Sequence, residues 1–268
     1  LAPGLYIQPY MDKLPGANVA TKMRNAAPHL DELKVLGVAG IAWHGFVGGM
    51  DATKFTKWAQ LAKDHGLVSL AAFGLNSLDP VAKGTWIGNV ANSPLCAGVL
   101  FDMEGAWEDD AQDKAKATQM GDEFRRVAPN ALALDQPWYA PGVHGAFPWA
   151  ETAKFVDIRS PQRYSNYTTP PDPNAYERTW TRSAHDWADL NEKLAKIDPT
   201  LVKPIIATIQ GYRWDLSDLI NCLTTNPTLF VWCEPYPDDV FMRGLRVWSK
   251  LKSLGHSGPR AVASFQKS

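Results

Sequence analysis

The chain has 268 residues, 45% of them hydrophobic and 21% charged, with a formal net charge of −1. Its length and apolar content suit one α/β barrel, and the charge balance excludes a disordered chain. No element concentrates Lys and Arg and no apolar run approaches the roughly 18 residues of a membrane span, so neither a nucleic acid nor a bilayer is expected as partner.

Short apolar runs recur roughly every 25–35 residues, each usually followed by a helical pattern, as βα units require. The first run predicts a strand over 4–10, then a helix over 19–36 that Pro28 should kink or split. A second strand is expected over 38–44. Asp51 then caps a helix through Phe55, Trp58, Leu61 and Ala62, which Gly66 closes. Strands follow over 67–74 and 97–104. The helix over 109–127 carries acids early and Arg125 and Arg126 late, which suits its dipole. Further strands are expected over 130–136 and 155–164. A helix over 183–197 precedes a strand over 203–212, and another helix starts at Asp215. The last strand, 228–236, leads to a helix marked by Val240, Leu245, Val247, Trp248 and Leu251. Eight strands close a (β/α)₈ TIM barrel, here a single domain over 1–268. The rival doubly wound sheet would carry a Gly-rich phosphate turn after an early strand, and none is present.

The polar, Pro-rich stretch 165–182 reads as an enlarged loop after the sixth strand, on the face where barrel enzymes keep their chemistry. Within it, Asn166-Tyr167-Thr168 fits a glycosylation sequon. Cys96, Cys222 and Cys233 lack a CxxC spacing; one disulfide is conceivable, whereas metal binding is not expected. Beginning at Leu1 rather than Met leaves room for an upstream segment, an export signal included.

Chemistry concentrates at the end of the fourth strand, where Asp102 and Glu104 alternate with Phe101 and Met103. Alternation sends both acids to one face, with Cα atoms about 6.6 Å apart, and strand position sends them to the barrel mouth. Two carboxylates this close resist joint ionisation, so one keeps the proton a general acid needs. Neighbours on one strand cannot flank a glycosidic bond, so the pair suits a substrate-assisted mechanism or help from another strand. Asp135 and Glu234 are the candidate helpers. Asp135 either reaches the mouth beside Glu104 or caps the loop over 136–142. Glu234 either acts as nucleophile or base, or pairs with Arg213 or Arg243.

Other strand ends mix aromatic faces with amides, a pattern suited to sugars. They supply Gln8 and Tyr10, Trp43, Trp138, Gln210 and Tyr212, and Trp232. His44, alone on an apolar strand, reads as a hydrogen-bonded core residue. No HxH or HExxH spacing supports a metal, no motif supports a nucleophilic serine or a nucleotide, and no cofactor is expected.

The fourth strand resembles the family 18 chitinase signature D-G-x-D-x-D-x-E, with Gly98, Asp102 and Glu104 in register. Ala97 and Leu100 stand at its first two acidic positions. Gln162-Arg163-Tyr164 resembles that family's M-x-Y segment, and Trp232 sits where it has a sugar-floor tryptophan. The resemblance implies Glu104 as the acid and Asp102 as the residue orienting an acetamido group, with Tyr164 assisting. A D-x-E on the fourth strand is also similar to family 25 lysozymes, though their N-terminal aspartate is not evident in 4–10. The expected activity is therefore hydrolysis of a polysaccharide, of the amino-sugar-containing cell-wall kind. The alternative is a carbohydrate-binding barrel without catalysis. An extracellular or envelope location follows from the glycan expectation alone.

Overall fold

A computed structural model describes residues 1–46, 50–103, 107, 113–137, 146–162, 187–233 and 236–253. In chain order the elements are β1 (Leu5–Pro9), α1 (Val19–Val35), β2 (Val38–Phe46), α2 (Ala52–Asp64), β3 (Val68–Leu75), α3 (Pro80–Ala91), β4 (Cys96–Met103) and α4 (Asp113–Val127). There follow β5 (Ala133–Asp135), α5 (Trp149–Ala153), β6 (Ile158–Arg159), helix α6 over 187–197, β7 (Thr208–Gln210), α7 (Leu216–Thr225), β8 (Leu229–Cys233) and α8 (Asp239–Ser253). All paired strands are parallel, in the order β6-β5-β4-β3-β2-β1-β8-β7. The sheet curls until its two ends meet. Arg159 N donates to Pro204 O at 2.9 Å, Ile206 N to Arg159 O at 2.8 Å and Thr208 N to Pro161 O at 2.9 Å. The fold is the expected TIM barrel.

Helix starts are fixed by side chains that accept otherwise orphaned amides. Asn18 Oδ1 accepts from Thr21 N at 3.0 Å, Asp51 Oδ1 from Lys54 N at 2.7 Å, and Asp215 Oδ1 from Ser217 N at 2.9 Å. Gly66, at φ +72°, takes the left-handed turn after α2 that a Cβ would disfavour. Of the kink or split expected at Pro28, the split does not occur, and α1 runs through it. Pro28 lies on the exposed face, where water can satisfy the Arg24 carbonyl its ring leaves without a donor. Helix α3 was not expected. Its sequence is apolar with two internal glycines, and it shows no polar stripe to reveal a period.

Those glycines explain how α3 fits against α4. A Cβ on Gly84 would stand 2.5 Å from Met120 O, and one on Gly88 2.7 Å from Val127 Cβ, so larger residues would force the helices apart. Gly121 plays the same part between α4 and the turn after α5. A Cβ there would stand 2.6 Å from Cγ and 2.8 Å from Cε1 of Phe155, a buried ring packed edge-on against Phe101. Gly121→Ala should therefore cost about 1–3 kcal/mol, read as a lower melting temperature. An unchanged melt would mean the Phe155 ring has room to yield.

Across the same pair of helices, Glu123 of α4 accepts hydrogen bonds from Arg126 and from Thr85 of α3. These partners hold its carboxyl at about 2, below the usual 4.5. A depressed carboxyl contributes stability that is present above 4.5 and lost as pH falls toward 2. Melting temperatures followed through that window should fall less steeply in Glu123→Gln than in wild type.

Two apolar layers separate along every strand. Residues pointing outward, such as Ile41, Trp43, Phe73, Phe101, Ile209 and Val231, join the helices in the larger core. Residues pointing inward, Tyr6, Ala42, Leu70, Ala72, Leu100, Leu134 and Phe230, fill the lumen. Two residues further toward the C-terminal ends, the inward positions carry Gln8, His44, Asp102 and Gln136, with Gly74 on β3 and Trp232 on β8. That change of character marks the floor of the mouth.

The candidate active site at the barrel mouth

Asp102 lies two residues past Leu100 and, by strand alternation, follows it to the inner face. Around its carboxylate, on β4, gather side chains from β2 and from the segment after β6. Gln162 Nε2 donates to Oδ1 at 2.8 Å, and His44 Nε2 lies 3.1 Å from Oδ2. His44 is fully buried, and Asp102 keeps 7% of its surface exposed. Met103 and Phe101 pack outward, so the sequence pattern placed Asp102 on the correct side.

Below and beside this cluster runs a buried polar ring. Gln8 and Gln136 exchange reciprocal amide hydrogen bonds at 2.9 Å, and Gln136 Nε2 also donates to Thr208 Oγ1 at 2.8 Å. Thr208 Oγ1 and Ser160 Oγ lie 2.9 Å apart. Gln8, Gln136, Ser160 and Thr208 are all completely buried, and mutual hydrogen bonding is what makes such burial tolerable, while Gln210 is buried as fully on β7. Of these, Ser160 and Thr208 had escaped the sequence reading. Their signal is weak, because a small hydroxyl residue on a strand carries no hint of the neighbour it will meet.

The wall is aromatic. Tyr10 packs edge-on against His44, ring centroids 4.2 Å apart, and edge-on to Trp232 at 6.2 Å. Trp232 in turn meets Tyr212 at 5.7 Å. All three rings are half-buried, which leaves part of each available to a ligand. Gln8, Tyr10, Gln162, Gln210, Tyr212 and Trp232 thus gather with Asp102, as their strand positions suggested.

Two expected site residues lie elsewhere. Trp43 is on the outer side of β2, donating its indole N–H to Ser69 Oγ at 3.1 Å and packing on Trp58 at 4.8 Å. The inward place beside it belongs to His44. Asp135 is also turned outward, because on β5 it is Leu134 and Gln136 that face the lumen. There it is paired with Arg159, both side chains wholly buried, and Arg159 also donates to Thr152 Oγ1 at 3.3 Å and Trp149 O at 2.6 Å. Burial pushes the Asp135 carboxyl up and the Arg159 guanidinium down, and each opposes the other's shift. Glu104, Trp138, Tyr164, Glu234 and the stretch 165–182 lie outside the described residues.

Cys96, Cys222 and Cys233 are free thiols, so the conceivable disulfide is not formed. Among the described residues, no three His, Cys, Asp or Glu side chains gather as a metal centre would. No described helix is long and apolar enough to cross a membrane.

By fold, the chain is similar to barrels of the glycoside hydrolase kind. The glycoside hydrolase domain of PgaB (BpsB) from Bordetella bronchiseptica matches at TM-score 0.57 and 14% identity, over 94% of this chain and 98% of that one. Endoglucanase Cel5A from Pseudomonas stutzeri matches at TM-score 0.60 and 12% identity, over 92% and 93% of the two chains. A β-D-glucuronidase from Dictyoglomus thermophilum gives 0.59 and 14%, and there the chain spans only 50% of the relative's length. Likeness at these identities establishes a shared TIM-barrel fold, and function has to be argued from the site. No protein-family model and no curated protein sequence matches the chain.

Proposed function

We propose that the protein hydrolyses glycosidic bonds in a polysaccharide, of the amino-sugar-containing cell-wall class. The observation that carries this reading is a carboxylate, Asp102, nearly buried but with 7% of the residue still exposed, held at the C-terminal mouth of a barrel next to His44, from which half-buried Tyr10, Trp232 and Tyr212 pack in series. Aromatic faces match the C–H surfaces of sugars, and the surrounding amides match hydroxyl and acetamido groups. The glycosidase neighbours named above have the same fold.

In this reading Glu104 protonates the leaving oxygen. Asp102 orients the substrate's acetamide or tunes Glu104, with Tyr164 assisting and Trp232, Trp138, Tyr10 and Tyr212 packing the sugar. Gln8 and Gln210, like Gln162, hold the polar floor in place. The helper carboxylate, where the mechanism uses one, falls to Glu234, since Asp135 is occupied by Arg159 on the outer side. The partner implied is a neutral glycan.

A second reading, a glycan-binding barrel without catalysis, is favoured by Leu100. It packs into the apolar lumen directly beneath Asp102, where the resembled chitinase signature has an acid. Incubating the protein with chitin, peptidoglycan and a panel of neutral polysaccharides separates the two. Release of soluble oligosaccharides supports the enzyme, whereas retention on the polymer with no release supports the binding barrel.

A further inference from the structure

We propose that Asn76, at the rim end of β3, is a specificity-determining residue that donates to the acyl oxygen of an N-acylated sugar, and that Lys83 on α3 is the positioning residue that aims its amide. The inference rests on the glycan reading above and adds to it a group from β3, the strand beside Asp102.

Where the mouth begins, β3 is bare. Leu70 and Ala72 point into the lumen, and the next inward position is Gly74, in register with Asp102. From Ser69 to Leu75 every residue is buried except Gly74, which keeps part of its surface exposed. Phe73 and Leu75 on either side of it are sealed into the outer core. Solvent, and therefore a ligand, reaches β3 next to the carboxylate. Asn76 stands two residues further toward the C-terminal end and is exposed. At strand spacings its Cα lies about 8 Å from that of Asp102, so one sugar unit can meet both groups.

The Asn76 amide has a fixed sense. Oδ1 accepts from Lys83 Nζ at 2.5 Å and from Leu78 N at 3.1 Å. An ammonium and a backbone N–H can only donate, so the carbonyl oxygen must face them and the NH₂ must face away. Among the described residues Nδ2 has no acceptor. Lys83 is only 7% exposed, and its acceptors are neutral: Asn76 Oδ1 and the Leu78 carbonyl. Burial pulls its ammonium below the usual range, opposed by the charge of Asp79. The lysine also sits in the first turn of α3, where the helix dipole disfavours a cation. A connection that had only to turn would need no such residue there. What Lys83 achieves is one oriented pair of outward N–H groups, which lose little freedom when a ligand arrives.

An N-acyl group presents one N–H and one carbonyl oxygen. The ionised Asp102 carboxylate only accepts, and the outward NH₂ of Asn76 only donates. Together they are the complement of an amide, which a plain hydroxyl would not require.

Asn76→Asp discriminates this role from a structural one. Its carboxylate keeps the bonds from Lys83 and Leu78 and gives the ammonium a counter-charge, so the melting temperature should not fall. The outward NH₂ becomes an oxygen that cannot donate. Calorimetric titration with chitin oligosaccharides and with their de-N-acetylated counterparts should show affinity for the acetylated ligand about 10-fold or more weaker in Asn76→Asp, with no loss for the deacetylated one. Lys83→Met should weaken binding of the acetylated ligand too, but not in an Asn76→Ala background, because the lysine acts through the amide. Unchanged affinity in Asn76→Asp, or equal loss for both ligands, overturns the binding role. Equal weakening by Lys83→Met in both backgrounds overturns the positioning role. A wild type that binds other glycans of the panel but not the acetylated oligosaccharide overturns the inference and spares the glycan reading. Binding without cleavage removes the enzyme alone, and the same affinities still decide Asn76. A wild type that binds and cleaves nothing removes both.

Discussion

Glu104→Gln should lower glycan turnover about 10²–10⁴-fold, the loss expected when a general acid can no longer deliver its proton. Binding should survive, because the substitution exchanges the carboxyl for an amide of the same shape. The basis is Asp102, whose inward direction is established by its contacts with Gln162 and His44. In the proposed function Glu104 is the acid that serves the same substrate. Asp102→Asn should lower kcat by a similar order without emptying the site, since Gln162 can still donate to the amide oxygen. Comparing kcat and KM for the two variants on one substrate checks the division of labour. Wild-type turnover in Glu104→Gln would remove it from the role of acid. Retained binding, lost on Trp232→Ala but indifferent to Glu104→Gln, would shift the protein to the non-catalytic class.

Arg159→Met should be the most destabilising single change outside the mouth, at about 3–5 kcal/mol. It leaves the Asp135 carboxylate buried without its paired guanidinium and frees the Thr152 hydroxyl and the Trp149 carbonyl of their donor. For a chain of this length that is a melting temperature lower by roughly 6–20 °C. The pH dependence has a definite sign. A carboxyl pushed above its ordinary 3.8 penalises the fold once it must ionise, so the penalty grows as pH rises above 3.8 and fades as pH falls toward it. The gap between Arg159→Met and wild type should therefore narrow on acidification. Adding Asp135→Asn to Arg159→Met should recover part of the loss at neutral pH by removing the orphaned charge. A gap that widens in acid would mean the variant fails for some reason other than the stranded carboxylate.

The barrel itself was legible because the apolar runs recur at the spacing of βα units, and the side chains that cap α2 and α7 announce themselves at Asp51 and Asp215. Asp102 was placed correctly because a carboxylate next to Phe101 and Met103 has only one face without helices. Parity was misleading where both faces of a strand are apolar, as parallel sheets allow. On β5, Ala131-Leu-Ala-Leu-Asp135 alternates either way, and what decides is Arg159, a residue 24 positions on, waiting on the outer side. The Trp43–His44 step hides a similar choice. Indole is the better filler for a helix-packed layer, so the imidazole turns inward, where its partner is a strand away. Helix α3 was missed for the converse reason. Gly84 and Gly88, which look like loop residues, are there because Met120 and Val127 press against them.

Not all joints of the barrel are alike. The pairings among β2, β3 and β4 extend over many residues, whereas the closure between the β6 and β7 segments hangs on a few amides around Arg159, Ile206 and Thr208. Gln162 stands at that joint, bridged to Thr208. Parting it would withdraw the donor from Asp102 Oδ1 at the same stroke, so the staves that can be sprung most easily are also the ones that hold the Asp102 carboxylate.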